Sequence, residues 1–245
     1  MVLSGIDLLN TPSNCPVQSR TPETYTGGEH GIIVTDAKSM EDLIKWTEYL
    51  DEHTLAAGGS DFFSAILNKR LSSNRVRSEI NAVNVSGKKL FVCGSTSETS
   101  RKAVVQAANS GISICPLPDA LFENSPTDDA MIKQWADDVL NALSKSDKVI
   151  IAITQKPVQD SELAESLRMK TAIVVQMVLN ATEIRELFIE GGATAEAVLR
   201  AIDCFRLDVL GEYTPGVVQM QVFGRPEQYV TIKPGSYHWP KGIWI

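Results

Sequence analysis

Short apolar runs alternate with longer stretches whose apolar residues recur every three or four positions, and this rhythm occupies most of the chain from residue 30 onward. "GIIVTDA" predicts a strand, and "SMEDLIKWTEYLDE" predicts a helix capped by Ser39, with Met40, Leu43, Ile44 and Leu50 on one face. "TLAAGGSDFFSAILNKRL" predicts a short strand, a Gly58-Gly59-Ser60 break and a helix carrying Phe62, Phe63, Ile66 and Leu67. Farther on, "KLFVCGS" is a strand ending in Gly94-Ser95, "SETSRKAVVQAANSG" a helix closed by Gly111, and "ISICPLP" the next strand. An amphipathic helix begins after Pro126, "KVIIAIT" is a strand buried on both faces, and a long helical region runs to about Asn180. "LFIEGGATAEAVLRAID" then repeats the strand, glycine break and helix.

Strands alternating with helices of this length predict an α/β fold, a three-layer αβα arrangement around a mostly parallel sheet. The end of the chain departs from the rhythm: "VVQMQVFGRPEQYVTIKPG" holds two alternating runs around Gly224-Arg225-Pro226, the pattern of an antiparallel hairpin at the sheet edge. Residues 10–30 are rich in Pro, Thr, Ser and Gly and predict an exposed loop. Residues 73–87 are polar and aperiodic, the expected linker between a small partial α/β domain at 1–72 and a larger domain at 88–245.

Composition narrows the function classes. A net charge of -7 and no run of Lys or Arg argue against nucleic acid or an anionic membrane as partner. The N-terminus has no signal-like basic and apolar segment, so the expected compartment is the cytoplasm. Cys15, Cys93, Cys115 and Cys204 lie far apart, without zinc-ligand or disulfide-framework spacing, and are expected to be reduced. His30, His53 and His238 are isolated, and Asp128-Asp129 at a helix start suits the helix dipole, so no metal site is expected from spacing.

Three breaks remain as candidate chemistry: Gly58-Gly59-Ser60, Gly94-Ser95-Thr96 and Gly191-Gly192-Ala193-Thr194, each at the carboxyl end of an expected strand. Glycines there either make a tight turn or leave bare N–H groups at a helix N-terminus open to an anion, most simply a phosphate. None matches a Walker A loop or a GxGxxG fingerprint. Lys233, leaving the last strand, is placed to meet phosphate as a point charge. Tyr237, Trp239 and Trp244 crowd the C-terminus and are expected to pack it down.

The order "GIIVTDAKSMEDL", "LAAGGSDFFSAIL", "LFVCGSTSETSRKAV", "FIEGGATAEAVLRAI", "YTPGVV" and "VTIKPGSY" resembles the four-carbon acid sugar kinase family, also called DUF1537. The resemblance implies a sugar-acid-binding domain followed by a nucleotide-binding domain that uses ATP and Mg²⁺ to phosphorylate a small acid sugar. It places the nucleotide side at Gly94, Ser95, Gly191, Gly192, Thr194, Pro215, Gly216, Lys233 and Gly235, and the acid side at Gly58, Gly59 and Ser60. It identifies no catalytic residue. Three departures stand out: the family's acidic ADDxTGA-type opening has no counterpart, Ala193 replaces an acid, and Ser236-Tyr237-His238 replaces a Gly-Phe-Gly ending. A lost carboxylate removes a metal or ribose contact, and the bulkier ending fills space a nucleotide needs. Two readings stay open: the ATP-binding part of a kinase, incomplete alone, or a non-catalytic relative binding a nucleotide or another small anion. A homodimer or a complementary acid-binding chain is the expected partner.

Overall fold

The computed structural model describes residues 15–71, 82–123, 128–155, 160–235 and 237–244. The chain divides into two compact units, Met1–Arg77 and Ser78–Ile245. In the first, strands β1 (Val17–Arg20) and β2 (Ile32–Thr35) pair in parallel, and helices α1 (Met40–Glu48) and α2 (Ser60–Leu71) pack on each other. Ser39 caps α1 as expected, its hydroxyl accepting from the Asp42 N–H. Three details differ from the sequence reading. The 10–30 loop contains β1, whose four residues find a ladder partner in β2. Residues 54–59 form no strand, since no described strand lies beside them, and Leu55 is almost fully exposed. On α1, Met40 and Ile44 face out while Trp46 is buried, its indole N–H donating to the Asp36 carbonyl and its ring beside Tyr25 and Tyr49. Two apolar stripes overlap on that helix, and the aromatic one wins because it buries more area.

The second unit is built on a seven-stranded sheet. Its elements run β3 (Lys89–Cys93), α3 (Glu98–Asn109), β4 (Ser113–Pro116), α4 (Asp128–Leu143), β5 (Lys148–Ala152), α5 (Ser161–Ala181), β6 (Glu186–Glu190), α6 (Gly192–Ala201), β7 (Leu207–Thr214), β8 (Val217–Val222) and β9 (Arg225–Lys233). The strand order is β4-β5-β3-β6-β9-β8-β7. Pairings from β4 through β9 are parallel, and β9-β8 and β8-β7 are antiparallel. The expected hairpin is thus the β8–β9 part of a three-stranded meander. β7, "LDVLGEYT", escaped the pattern because its exposed edge carries Asp208, Val209 and Glu212 without a clean alternation.

Burial follows the pleat. Leu90 and Val92 of β3, Val149 and Ile151 of β5, and Leu187 and Ile189 of β6 face a large core closed by α4, α5 and α6. Phe91, Cys93, Ile150, Ala152 and Phe188 face the other way, under α3 and Trp244. The Phe91 and Phe188 rings stack at 4.3 Å between centroids. Residues 82–85, inside the expected linker, dock on this second face: Gln219 clamps both the N–H and the carbonyl of Val83 at 2.7 and 2.9 Å. Gln219 also donates to buried Glu186, which accepts from Tyr213 and Thr231 as well. Among the described residues no helix is long and apolar enough to cross a membrane.

Candidate functional site

Two adjacent strands send the chain to opposite faces of the sheet. After β3 the chain passes to the α3 face, and after β6 to the α6 face, although β3 and β6 are hydrogen-bonded neighbours. Such a switch point opens a crevice beyond the carboxyl ends of the strands, the usual ligand position in open α/β sheets. A cleft of about 330 Å³ lies there. Its walls are Gly94-Ser95-Thr96 after β3, Gly191-Gly192-Ala193-Thr194 after β6, Ile153 after β5, Gly235 after β9, and Ala164, Leu167 and Arg168 of α5.

The loops fit through their glycines. A β-carbon on Gly94 would sit 2.2 Å from the Thr194 hydroxyl oxygen, so the two loops approach as closely as they do only with glycine at that position. Gly191 has φ of +94°, a conformation that other residues rarely adopt, and its N–H donates to the Lys233 carbonyl at 2.8 Å.

The two helix N-termini are not equivalent. Ser97 caps α3 by accepting from the Ser100 N–H, and Ser95 accepts from the Ser97 N–H. The N-cap of α6 is Gly191, which brings no side chain. The first N–H groups of α6 therefore face the cleft with no intrahelical acceptor and carry the positive end of the helix dipole. Thr194 is only 4% exposed, lines the cleft, and its hydroxyl makes no hydrogen bond to a described residue. The hydroxyl is therefore open toward the cleft and available to a ligand.

Arg168 supplies the cleft's cation. It is half-buried on the wall and forms no ion pair or hydrogen bond with a described residue. It went unnoticed in the sequence, though a signal existed: Ala164, Leu167, Arg168 and Thr171 share one helical stripe, and an arginine among small and apolar neighbours is out of place unless it meets a ligand.

The lysine expected to meet phosphate is instead sealed inside the protein. Lys233 is fully buried and spends its three ammonium protons on Glu190 Oε1 at 2.7 Å, the Pro234 carbonyl at 3.0 Å and the Tyr237 carbonyl at 2.7 Å. Glu190 is equally buried, and its other oxygen accepts from the Ser100 hydroxyl at 2.6 Å. The pair therefore shapes the floor of the cleft and the loop after β9 rather than touching a ligand. Cys93 beside it is pushed well above the ordinary thiol range by burial and by the Glu190 charge, which leaves it without nucleophilic character.

The remaining sequence candidates separate. Gly235 lines the cleft near Ser95. Pro215 and Gly216 do not: they form the β7–β8 turn, and a β-carbon on Gly216 would lie 2.1 Å from the Tyr237 ring that covers it. Ser236 lies outside the described residues. Trp239 and Trp244 pack on Phe91 at 6.0 and 4.9 Å between ring centroids, as expected. In the first unit a cavity of about 500 Å³ is lined by Tyr25, His30, Trp46, Tyr49 and His53 among others. Gly58, Gly59 and Ser60 do not border it; Ser60 begins α2, and Gly58 packs against Phe62.

Residues 90–237 match the family model of the nucleotide-binding C-terminal domain. Solved structures of the same fold include a Salmonella typhimurium LT2 protein provisionally named a tRNA synthase (TM-score 0.62, 18% identity, 85% of this chain over 50% of that one). A Haemophilus influenzae DUF1537 protein follows (TM-score 0.58, 13% identity, 91% over 58%). A Bordetella bronchiseptica DUF1537 protein, a domain-swapped dimer with bound citrate, is also similar (TM-score 0.53, 17% identity, 97% over 58%). The chain thus spans between half and three-fifths of the length of these structures. No curated protein matches it significantly. With the model covering the glycine loops, the cleft and the C-terminal meander, the chain belongs to the family of the nucleotide-binding C-terminal domain.

Proposed function

We propose that the chain binds a nucleoside di- or triphosphate, ADP or ATP in the simplest case, with its phosphates in the cleft between the β3–α3 and β6–α6 loops. The observation that carries the reading is the convergence at the switch point of Arg168, which has no ion pair or hydrogen bond with a described residue, the Thr194 hydroxyl and the N-terminus of α6, which has no side-chain cap. Each recognises an anion, and together they suit adjacent phosphates. ADP or ATP at millimolar concentration should raise the melting temperature, since a ligand at 100 times its Kd stabilises by about 2.7 kcal/mol. Absence of any shift, together with absence of calorimetric heat, would sink the reading.

Family membership favours a finer role, ATP-dependent phosphorylation of a four-carbon acid sugar. On that reading residues 1–72 are part of the acid-binding domain, 73–87 a linker and 88–245 the nucleotide-binding domain, with Mg²⁺ at the phosphates. The departures at Ala193 and Ser236-Tyr237-His238 support the alternative, a non-catalytic relative that keeps the fold and binds a nucleotide or another small anion, or acts as an interaction module. The tRNA synthase name of the Salmonella relative finds no support in the charge of this chain, which is -7 with no basic run. Four unpaired cysteines fit a cytoplasmic setting.

A second copy or a complementary acid-binding chain would cover the exposed apolar side chains of the first unit, among them Met40, Ile44, Leu55 and Phe63. The expected light-scattering mass at micromolar concentration is that of a dimer, 2 × 26.8 kDa; a monomer would leave the complementary chain as the only form of this proposal.

A further inference from the structure

The walls of the cleft do not suit the divalent cation that the kinase family implies. Mg²⁺ takes six oxygen ligands in near-octahedral geometry and at a nucleotide site is held by one or two carboxylates together with phosphate oxygens and water. Among the described residues Glu190 is the single carboxylate lining this cleft, and it is committed: one oxygen to Lys233, the other to Ser100, with no exposed surface. Two carboxylates on the elements that follow the β3 and β5 loops lie outside the lining and have partners of their own. Asp160 accepts from the N–H groups of Glu162 and Leu163 to cap α5, and Glu98 pairs with Lys102 at 2.7 Å. Where the family carries an acid on the α6 loop, Ala193 stands exposed at the cleft rim. Among the described residues no group of three His, Cys, Asp or Glu side chains could hold a metal ion.

Resting on the nucleotide reading above, we propose that this cleft binds its nucleotide as the metal-free polyphosphate anion. The charge balance runs through the protein alone: Arg168, the N–H groups at the start of α6 and the Thr194 hydroxyl face the phosphates, and among the described residues of the lining no free carboxylate opposes them. A carboxylate beside a phosphate is tolerable only with a cation between them, because two like charges at hydrogen-bonding distance repel strongly where water is scarce. Ala193 in place of an acid, with the Arg168 guanidinium on the opposite wall, therefore makes one consistent arrangement, an anion site rather than a metal-bridged one. The substitution also leaves the fold untouched, since position 193 is exposed and helical.

The test is ADP binding by calorimetry, once with EDTA and once with millimolar Mg²⁺, on the full chain and on two variants of Ala193. The wild type is expected to bind ADP in EDTA with an affinity within about threefold of that in Mg²⁺. Ala193→Asp is expected to bind about tenfold more weakly in EDTA and to recover on adding Mg²⁺, as one repulsive charge and its cancellation require. Ala193→Asn, of the same size and uncharged, should keep metal-free binding and so separates charge from bulk. Wild-type binding that appears only with Mg²⁺ overturns the proposal while leaving the nucleotide reading intact. So does metal-free binding by Ala193→Asp as tight as by the wild type. No binding of ADP in either buffer overturns the nucleotide reading and this inference with it.

Discussion

Lys233→Met is expected to lower the unfolding free energy by about 3–5 kcal/mol, the usual result of removing one partner from a buried ion pair. The reason lies in what is left behind. Glu190 would keep the Ser100 hydroxyl and the weak Cys93 thiol donor, inside an apolar face formed by Phe91, Cys93 and Phe188, and an ionised carboxylate there has no water to turn to. The carbonyls of Pro234 and Tyr237, now satisfied by the ammonium, would lose their donor as well. The double variant Glu190→Gln with Lys233→Met should recover a large part of the loss, because a neutral amide can still accept from Ser100 and no charge is stranded. Urea denaturation of the wild type, both singles and the double measures the coupling directly. A single Lys233→Met variant within about 1 kcal/mol of the wild type would mean that the pair contributes little, and that Lys233 is free for another role.

The behaviour of this pair explains part of what the sequence could and could not reveal. Strand Glu186–Glu190 reads "ELFIE", and a carboxylate at each end of an apolar run looks like a strand boundary in water. In the fold both are fully buried on the same face, two residues either side of Phe188, because β9 brings Lys233 and Thr231 opposite them and β8 brings Gln219. Those partners lie 33 to 45 positions away in the chain, which no local period can register. Period and glycine placement did reveal the parallel core, because each strand there is a continuous apolar run covered on both faces. They failed at β1 and β7, whose short or exposed strands owe their existence to a neighbouring ladder rather than to their own pattern.

The candidate site divides along the same line. Glycine loops at strand ends are local features, and Gly94, Ser95, Gly191, Gly192, Thr194 and Gly235 all reach the cleft. A charged side chain gives no such guarantee, since its role depends on what the fold sets beside it. Lys233 found Glu190 and went inward, whereas Arg168, about two turns into α5 and in no special motif, lines the same cleft as the open end of α6. Pro215 and Gly216 reveal the same dependence: the tight turn is real, and its open side is taken by Tyr237.

Arg168→Gln is accordingly expected to weaken ADP binding by about 10- to 100-fold, the loss of about 1.5–3 kcal/mol that accompanies removal of a charged hydrogen-bonding partner. Stability should change little, since the side chain has no described partner to abandon and is half exposed at the cleft wall. Arg168→Lys separates charge from shape: a point charge in place of a planar fork should retain part of the affinity and show the steeper loss with salt expected of a less intimate contact. Calorimetry on the wild type and both variants at two ionic strengths distinguishes these effects, with thermal melting as the control for folding. Affinity in Arg168→Gln within about twofold of the wild type would remove the arginine from the site and leave the α6 N-terminus alone to hold the phosphates. A helix terminus contributes about 0.3–1 kcal/mol to a nearby anion at an exposed position, too little by itself to hold a nucleotide at micromolar concentration. On the nucleotide reading, Arg168 on the α5 wall therefore supplies the larger share of the phosphate affinity, with the α6 N-terminus and the Thr194 hydroxyl adding to it.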